Sequence, residues 1–286
     1  MSALRSFACR CFALAALSAF ALTRPAPASA EEPVKFDSAV PRPHQAEDPG
    51  DGKIVAGERG GPVQGYLTRP SGRGPFPAVV LLHSCLGLPA ARRSIGEMFA
   101  GWGYVALFVD DFTTRGIKET CAVDFPEGVS DAFGALAFLS RLPFVDTKRI
   151  AAVGYSQGAD TALQIASSRF VSAFAIPEGA EFKAAAAFYP PCANLGNAQL
   201  TIPTLILVGA LDDVTPAADC QLLAKAQRGD GAELKLVVYP GAHHGFDNPE
   251  FADGMRVSAM LLEYDRGAAE QARPELRGFL STKLAR

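Results

Sequence analysis

The chain has 286 residues, of which 49% are hydrophobic and 20% are charged, and its formal net charge at pH 7 is −3. This balance is typical of a soluble globular domain and excludes disorder over most of the length. The sequence contains no basic stripe of the kind that nucleic-acid-binding proteins carry, so no nucleic-acid partner is expected.

The first 30 residues have the three parts of a secretory signal peptide. Arg5 and Arg10 give a basic start, residues 11–22 form a run of 12 without a charge, and small residues follow at positions 28–30. A bilayer span needs about 20 apolar residues, so this run is too short to cross a membrane. We expect residues 1–30 to be removed on export, leaving no stable membrane insertion; an uncleaved anchor is the alternative.

Residues 31–52 are rich in proline and acidic residues, and we expect them to form a mobile or loosely docked leader. The preceding 30 residues contain three arginines and no acid, so their removal changes the formal charge to −6. This charge argues against an anionic macromolecular partner. Residues 53–286 show no internal repeat and no composition break, which predicts one domain.

Apolar strands and amphipathic helices alternate along this domain. Continuous apolar runs such as residues 78–82 are typical of strands buried on both faces of a sheet. The predicted strands are residues 63–69, 78–82, 104–109, 149–153, 184–189, 204–208 and 234–239. The predicted helices are residues 90–102, 129–141, 159–168, 216–227 and a region after residue 251. The alternation predicts an α/β fold with a mostly parallel sheet and helices on both faces.

The motif Gly154-Tyr155-Ser156-Gln157-Gly158 follows one predicted strand and precedes a predicted helix. In that context G-x-S-x-G forms a nucleophile elbow, a sharp turn that exposes the serine hydroxyl at a helix N-terminus. Glycines leave room for the turn, and the helix N-terminus offers N–H groups to an oxyanion. Ser156 is therefore the candidate nucleophile; the alternative is a tight turn in which the serine only caps the helix.

A serine nucleophile needs a base and an orienting carboxylate, and proteins with such an elbow supply them in the chain order Ser, Asp, His. Asp212 and Asp213 follow the predicted strand 204–208, and His243 and His244 follow the next strand. The order matches a Ser-His-Asp triad, but it does not choose within either pair. A metal site at the paired histidines is a further alternative, but no third ligand has suitable spacing, so no metal is expected.

These motifs resemble the dienelactone hydrolase family of α/β-hydrolases. The resemblance covers roughly residues 60–285. It rests on residues 154–158, on G-x-x-D-x-x-x-P at residues 209–216 and on A-x-H-x-F at residues 242–246. It implies an α/β-hydrolase fold with an eight-stranded, largely parallel sheet.

Matched residue by residue, the family pattern places the acid at Asp212 and the base at His244. The nucleophile differs, because family members that cleave dienelactone use a cysteine where this chain has Ser156. Those members also carry a glutamate close to the thiol, and the matching position here is Ser84. A simple serine triad is therefore the better interpretation.

Two arginines bind the substrate carboxylate in those family members. Arg115 resembles one of them, whereas the other falls near Asn248. We therefore expect Arg115 to be a substrate-binding residue. A loop salt bridge from Arg115 to Asp110 or Asp111 is an alternative of equal weight. The sequence leaves the substrate open, including whether it is anionic.

The loop of residues 83–87 follows an early central strand, where this fold places one of its two oxyanion-hole donors. We expect the backbone N–H groups of Cys85 and Gln157 to form the oxyanion hole. His83 is either a substrate contact or a structural histidine bonded to the backbone.

Four cysteines remain once residues 1–30 are removed, and an even number in an exported chain is typical of disulfides. Placed on the expected sheet, they predict the bridges Cys85–Cys121 and Cys192–Cys220, which would brace the active-site face. Four buried free thiols are the alternative.

Together these features predict an exported serine hydrolase, periplasmic or secreted, that cleaves an ester or related acyl bond of a small molecule through an acyl-enzyme intermediate. No cofactor is needed for this chemistry. The alternatives are a non-catalytic α/β-hydrolase scaffold that binds a ligand or partner, and an acyltransferase or peptidase on the same triad. The sequence does not indicate the oligomeric state.

Overall fold

The structure, a computed structural model, describes residues 30–41, 60–123, 125–168, 174, 177–227, 231–257 and 260–285. Residues 1–29 of the predicted signal peptide and residues 42–52 of the predicted leader lie outside the described residues. Within the described ranges, no helix is both long and apolar enough to span a membrane.

An eight-stranded sheet forms the centre of the fold. Its strands are β1 Glu32–Asp37, β2 Pro62–Thr68, β3 Phe76–Leu82, β4 Val105–Asp110, β5 Val145–Tyr155, β6 Phe182–Phe188, β7 Thr204–Gly209 and β8 Leu234–Tyr239. They lie in the order β1-β2-β4-β3-β5-β6-β7-β8. The pairings of β1 with β2 and of β2 with β4 are antiparallel, and all others are parallel. The prediction of a mostly parallel, eight-stranded sheet is confirmed.

Helices cover both faces of this sheet. They are α1 Arg92–Gly101, α2 Gly128–Leu139, α3 Gln157–Ala166, α4 Ala217–Ala226 and α5 Arg266–Lys283. Apolar side chains of α1 and α5 pack on one face, and those of α2, α3 and α4 pack on the other. Successive residues of a central strand therefore meet different helices: Val79 faces α1 and α5, whereas Val80 faces α2. This arrangement explains why the central strands are apolar at every position.

The strand β1 corrects the prediction of a loosely docked leader for residues 32–37. Glu32–Asp37 pairs with β2 and forms the edge of the sheet. Within the strand only Phe36 is fully buried, and its ring stacks on Phe138 of α2. An edge strand with a single buried apolar residue has the composition of a solvated segment, which is why the sequence pattern did not reveal it.

The region after residue 251 contains the predicted helix, α5, but two short strands that were not predicted precede it. A hairpin of β9 Met255–Val257 and β10 Met260–Leu262 precedes α5. The hairpin is tied to the loops after β7 and β8, because Leu261 N donates to Asp213 Oδ1 at 3.1 Å and Glu263 N donates to His244 O at 3.0 Å. Strands of three residues are too short to show an alternating pattern in the sequence.

The strand register brings the motif-bearing loops together. In the parallel pair β3 and β5, Leu82 at the end of β3 lies beside Gly154, just before the predicted nucleophile. The loop of residues 83–87 therefore starts next to the nucleophile elbow. Because β7 and β8 end on the same edge of the sheet, the loops that carry the predicted acid and base project from that edge as well.

Candidate active site

Ser156 occupies a strained turn between β5 and α3. Its backbone has φ 53° and ψ −112°, a conformation that residues other than glycine rarely adopt. A Cβ on Gly154 would lie 1.9 Å from the carbonyl oxygen of Gly158, and a Cβ on Gly158 would lie 2.3 Å from that of Leu82. Both glycines of the motif are therefore required by close backbone approach, and the predicted nucleophile elbow is present.

The structure brings Ser156, His244 and Asp212 into one hydrogen-bonded chain. His244 Nε2 lies 2.9 Å from Ser156 Oγ, and His244 Nδ1 lies 2.9 Å from Asp212 Oδ2. His244 is 3% exposed and Asp212 is 5% exposed. Among the predicted candidates these three side chains have the geometry of a Ser-His-Asp triad.

The two neighbouring candidates point elsewhere. Asp213 Oδ1 accepts a hydrogen bond from Leu261 N of the hairpin. The Nε2 atom of His243 faces Glu263 at 3.9 Å. The geometry therefore favours Asp212 over Asp213 and His244 over His243, a choice that the order of residues in the chain left open.

Thr215 fixes the orientation of the Asp212 carboxylate, and sequence reasoning did not single it out. Asp212 Oδ1 accepts from Val214 N at 3.0 Å and from Thr215 N at 2.8 Å. The Thr215 hydroxyl lies 3.0 Å from Asp212 Oδ2 and 3.0 Å from the Tyr189 carbonyl oxygen. An Asp followed by a hydroxyl residue three positions later is a local turn signal that was available in the sequence.

Asp247 is a second carboxyl close to the triad. Tyr189 O–H donates to Asp247 Oδ1 at 2.7 Å, and the Tyr189 ring packs on the His244 ring with centroids 4.6 Å apart. Burial raises the pKa of Asp247 to about 6, although the Tyr189 hydrogen bond lowers it. The carboxyl also borders the cavity described below, so it is enclosed by protein on one side and accessible to cavity water on the other.

We expect Asp247→Asn to change how stability depends on pH. The folded-state pKa of this carboxyl lies above its ordinary value, so its stabilising contribution is complete below about pH 4 and is lost as the pH rises through 6. Allowing for screening by cavity water, the variant should gain about 2 kcal/mol in unfolding free energy relative to wild type between pH 4 and pH 7. Urea unfolding at both pH values measures this, and an equal difference at both would contradict it.

A cavity of about 540 Å³ opens beside Ser156 and His244. Its wall is mostly apolar. The loops after β3 and β8 line much of it, and α1, α5 and the β9–β10 hairpin contribute further apolar side chains. The apolar residues from the two helices and the hairpin are Ile95, Met98, Val257, Met260, Leu262, Ala269, Ala272 and Leu276. A cavity of this size and polarity suits a small, mainly apolar molecule.

The two predicted oxyanion-hole residues lie close to Ser156. Cys85 lines the cavity together with Ser156. Gln157 is the first residue of α3, where the backbone N–H has no acceptor within the helix. Thr120 connects the two, because its N–H donates to Cys85 O at 2.9 Å and its hydroxyl donates to Gln157 Oε1 at 2.7 Å.

Both predicted disulfides are present. Cys85–Cys121 joins the loop after β3 to the loop after β4, and Cys192–Cys220 joins the segment after β6 to α4. The Cα atoms are 4.9 Å and 5.0 Å apart. The first bridge therefore holds one of the two predicted oxyanion-hole residues, and the second lies at the start of the helix that follows the acid loop.

Arg115 does not line the cavity, which corrects its predicted role in substrate binding. Its guanidinium forms a bidentate pair with Asp131 of α2, at 2.8 Å and 2.9 Å, and also donates to the Asp111 carbonyl oxygen. Arg115 does form a salt bridge, as the alternative predicted, but its acidic partner is Asp131 rather than Asp110 or Asp111. The partner lies on another element, so sequence proximity did not identify it.

We expect Arg115→Met to affect stability and not substrate recognition. The substitution would leave the fully buried Asp131 carboxylate without its cation, which typically costs about 3 kcal/mol of unfolding free energy. The KM values for an anionic ester and for a neutral ester of the same size should change by the same small factor. A selective tenfold rise in KM for the anionic ester would restore Arg115 as a substrate-binding residue.

A strained G-x-S-x-G turn after β5, an aspartate after β7 and a histidine after β8, on a mostly parallel sheet, form the arrangement that is typical of an α/β-hydrolase. Residues 63–284 match the dienelactone hydrolase family. The chain therefore belongs to that family, as the sequence motifs indicated.

Curated relatives of this chain have names that describe ester hydrolysis. A protein from Synechocystis sp. named "Putative carboxymethylenebutenolidase" is 27% identical over 239 residues, which are 78% of this chain and 92% of the relative. Cutinase 1 from Thermobifida cellulosilytica is 26% identical over 154 residues, which are 54% of this chain and 55% of the cutinase.

Solved structures share the fold. A dienelactone hydrolase-like promiscuous phosphotriesterase, P91, from metagenomic libraries is 19% identical, with a TM-score of 0.64 over 90% of this chain and 100% of that one. Esterase 2 of Thermogutta terrifontis, phosphorylated by paraoxon, is 24% identical, with a TM-score of 0.58 over 78% of this chain and 91% of that one. Together with family membership, the relatives identify this chain as a hydrolase that acts on ester bonds.

Proposed function

We propose that this chain is an exported serine esterase that hydrolyses small, mainly apolar esters through Ser156, His244 and Asp212. The observation that carries the proposal is the pair of 2.9 Å contacts that join these three side chains beside an apolar cavity. Structural kinship with an esterase that paraoxon phosphorylates supports a serine as the reacting group.

In the first half of the proposed reaction, Ser156 Oγ attacks the carbonyl carbon of the ester while His244 Nε2 takes its proton. The carbonyl π electrons move to the oxygen and form an oxyanion. When the C=O bond re-forms, the bond to the leaving oxygen breaks, and that oxygen takes the proton from His244. Asp212 accepts the Nδ1–H hydrogen bond throughout and stabilises the imidazolium.

The oxyanion is held by the backbone N–H groups of Cys85 and Gln157. Backbone donors that are fixed before the substrate arrives stabilise the developing charge without reorganising, and one such donor contributes about 10²-fold or more to the rate. The hydrogen bonds of Thr120 to both residues support this role, because they connect the two loops that carry the donors.

In the second half, water completes the reaction. His244 removes a proton from a water molecule, which attacks the carbonyl carbon of the acyl-enzyme. The ester bond to Ser156 Oγ breaks, and the serine oxygen regains its proton from His244. The products are a carboxylic acid and an alcohol, and the triad returns to its starting protonation state.

Two features support export. The first 30 residues have the pattern of a cleavable signal peptide. All four cysteines of the remaining chain form disulfides, which persist in oxidising compartments and are rare in the cytosol. The proposal therefore places the mature chain in the periplasm or the medium.

The experiment that tests this function is turnover of p-nitrophenyl esters, from acetate to octanoate, by wild type and by Ser156→Ala. We expect wild type to hydrolyse uncharged esters and to prefer acyl chains long enough to contact the apolar cavity wall. The variant should be inactive while keeping the wild-type unfolding midpoint. A folded wild type that hydrolyses none of these esters would refute the proposal and favour a ligand-binding scaffold.

A further inference from the structure

The carbonyl group of Ser84 receives two hydrogen bonds. Gly87 N donates to the Ser84 oxygen at 3.0 Å, and His83 Nδ1 lies 2.7 Å from the same oxygen. A carbonyl oxygen only accepts, so the Nδ1 atom of His83 carries a proton in this contact. The orientation of the Ser84 carbonyl is thereby fixed from two sides.

This carbonyl belongs to the same peptide unit as the N–H of Cys85. A trans peptide is planar, and its C=O and N–H bonds point in opposite directions. Donors that hold the Ser84 oxygen therefore also fix the direction of the Cys85 N–H. That N–H is one of the two proposed oxyanion-hole donors, and Cys85 lines the cavity beside Ser156.

His83 is also held at its second ring nitrogen, Nε2, by Asp111. Its Nε2 atom lies 2.8 Å from Asp111 Oδ1, with an ion-pair distance but without the alignment of a good hydrogen bond. The ring also packs edge-on against Phe112, with centroids 4.5 Å apart. Both His83 and Asp111 are buried, at 4% and 6% exposure, so the imidazole has little freedom to reorient.

The surrounding charges favour the imidazolium form of His83. Three buried carboxyls lie in this region: Asp110 at the end of β4, Asp111 directly after it and Asp131 on α2, with Arg115 paired to Asp131. Burial lowers the pKa of His83, but the Asp111 carboxylate and the Ser84 carbonyl outweigh that effect, so the pKa is raised. The imidazolium can bond to Ser84 and pair with Asp111 at the same time.

We propose that His83, held by Asp111, is a positioning residue that aims the Cys85 N–H at the oxyanion. The inference rests on the proposed function. It also explains a structural role for Arg115. The arginine donates a hydrogen bond to the Asp111 carbonyl and so helps to position Asp111, which in turn contacts His83. The expected consequence is an effect on the chemical step rather than on substrate binding.

The test compares His83→Asn with His83→Gln. The asparagine amide nitrogen can occupy the position of Nδ1 and donate to Ser84 O, whereas the glutamine amide reaches the position of Nε2. We expect His83→Gln to lower kcat by about 10²-fold with KM within about threefold of wild type, and His83→Asn to keep kcat within about threefold. Equal kcat values for the two folded variants, whether high or low, would overturn the inference.

Asp111→Asn supplies a second test that keeps the histidine. Without the carboxylate the imidazole loses its second proton more readily, and the remaining proton is then shared between Ser84 O and the new amide. We expect the ratio of wild-type to variant kcat to rise between pH 6 and pH 8. A ratio that does not change with pH would overturn the proposed role.

The failure of this inference can be distinguished from failure of the proposed function. If wild type hydrolyses esters but both comparisons give the contradicting results, only the role of His83 is wrong. If wild type itself fails to react with esters under all conditions, the proposed function is wrong and the inference falls with it.

Discussion

Asp212→Asn should lower kcat by about 10⁴-fold, whereas Asp213→Asn should leave kcat within about threefold of wild type. Asp212 accepts from His244 Nδ1 at 2.9 Å and so keeps the Nε2 lone pair of that histidine directed at Ser156. An asparagine amide turned toward the ring would stabilise the opposite tautomer, in which Nε2 cannot take the serine proton. Steady-state kinetics on one p-nitrophenyl ester measures both variants.

The adjacent aspartate is a close control, because it has the same charge and lies in the same loop. Asp213 Oδ1 accepts a hydrogen bond from Leu261 N of the hairpin, and an asparagine oxygen can still accept that bond. A second matched pair is His244→Gln, with an expected loss of about 10⁴-fold or more, and His243→Gln, with little loss. Equal losses within either pair would show that the assigned acid or base is wrong.

Removing either disulfide on its own should lower the stability by the same amount, but the two removals should differ in their effect on catalysis. Each disulfide closes a loop of about 30 residues, and its loss by Cys→Ala substitution of both partners should lower the unfolding free energy by about 4 kcal/mol. Loss of Cys85–Cys121 should also lower kcat by about tenfold, because that bridge holds a proposed oxyanion donor. Loss of Cys192–Cys220 should leave kcat within about threefold.

Urea unfolding under non-reducing conditions measures the stability difference, and kinetics below the unfolding transition measures kcat. Reductant provides the control, because wild type and the variants should converge in stability once the bridges are reduced. A Cys85–Cys121 variant with wild-type kcat would show that the hydrogen bonds of Thr120 and the contact of His83 are sufficient to position the donor.

The sequence predicted those features of the fold and the site that depend on local pattern. Apolar residues between clear breaks identified seven of the eight strands of the main sheet, and the central ones appear as continuous apolar runs because they are buried on both faces. The elbow around Ser156 was predictable because its two glycines are dictated by backbone approach within five residues. Chain order then restricted the acid and base to two adjacent pairs.

Features that depend on long-range contact were not predictable from pattern. The edge strand β1 is held by pairing with β2 and by one buried phenylalanine, and neither gives a periodic signal. The partner of Arg115 lies 16 residues away on α2, so an assignment based on neighbours in the sequence failed. The role of Thr215 depends on the Tyr189 carbonyl, which reaches the acid loop only after the sheet has formed.

The assignment of Arg115 to substrate binding concealed its link to His83 in the loop of residues 83–87. Interpreted as a substrate-binding residue, Arg115 had no link to His83. In the structure both contact Asp111, the arginine through the backbone carbonyl and the histidine through the carboxylate. Asp131, Arg115, Asp111 and His83 therefore form a chain of contacts from α2 to the loop that carries Cys85. These contacts give a structural role to charged residues that lie outside the triad.

The most direct test of the central claim is labelling of the mature protein with a fluorophosphonate, followed by peptide mass spectrometry. A serine that is activated by His244 should form one covalent adduct, located on the peptide that contains Ser156. Labelling should disappear in Ser156→Ala and fall sharply in His244→Gln, with both variants folded. A folded wild type that remains unlabelled, or an adduct on any residue other than Ser156, would contradict the account.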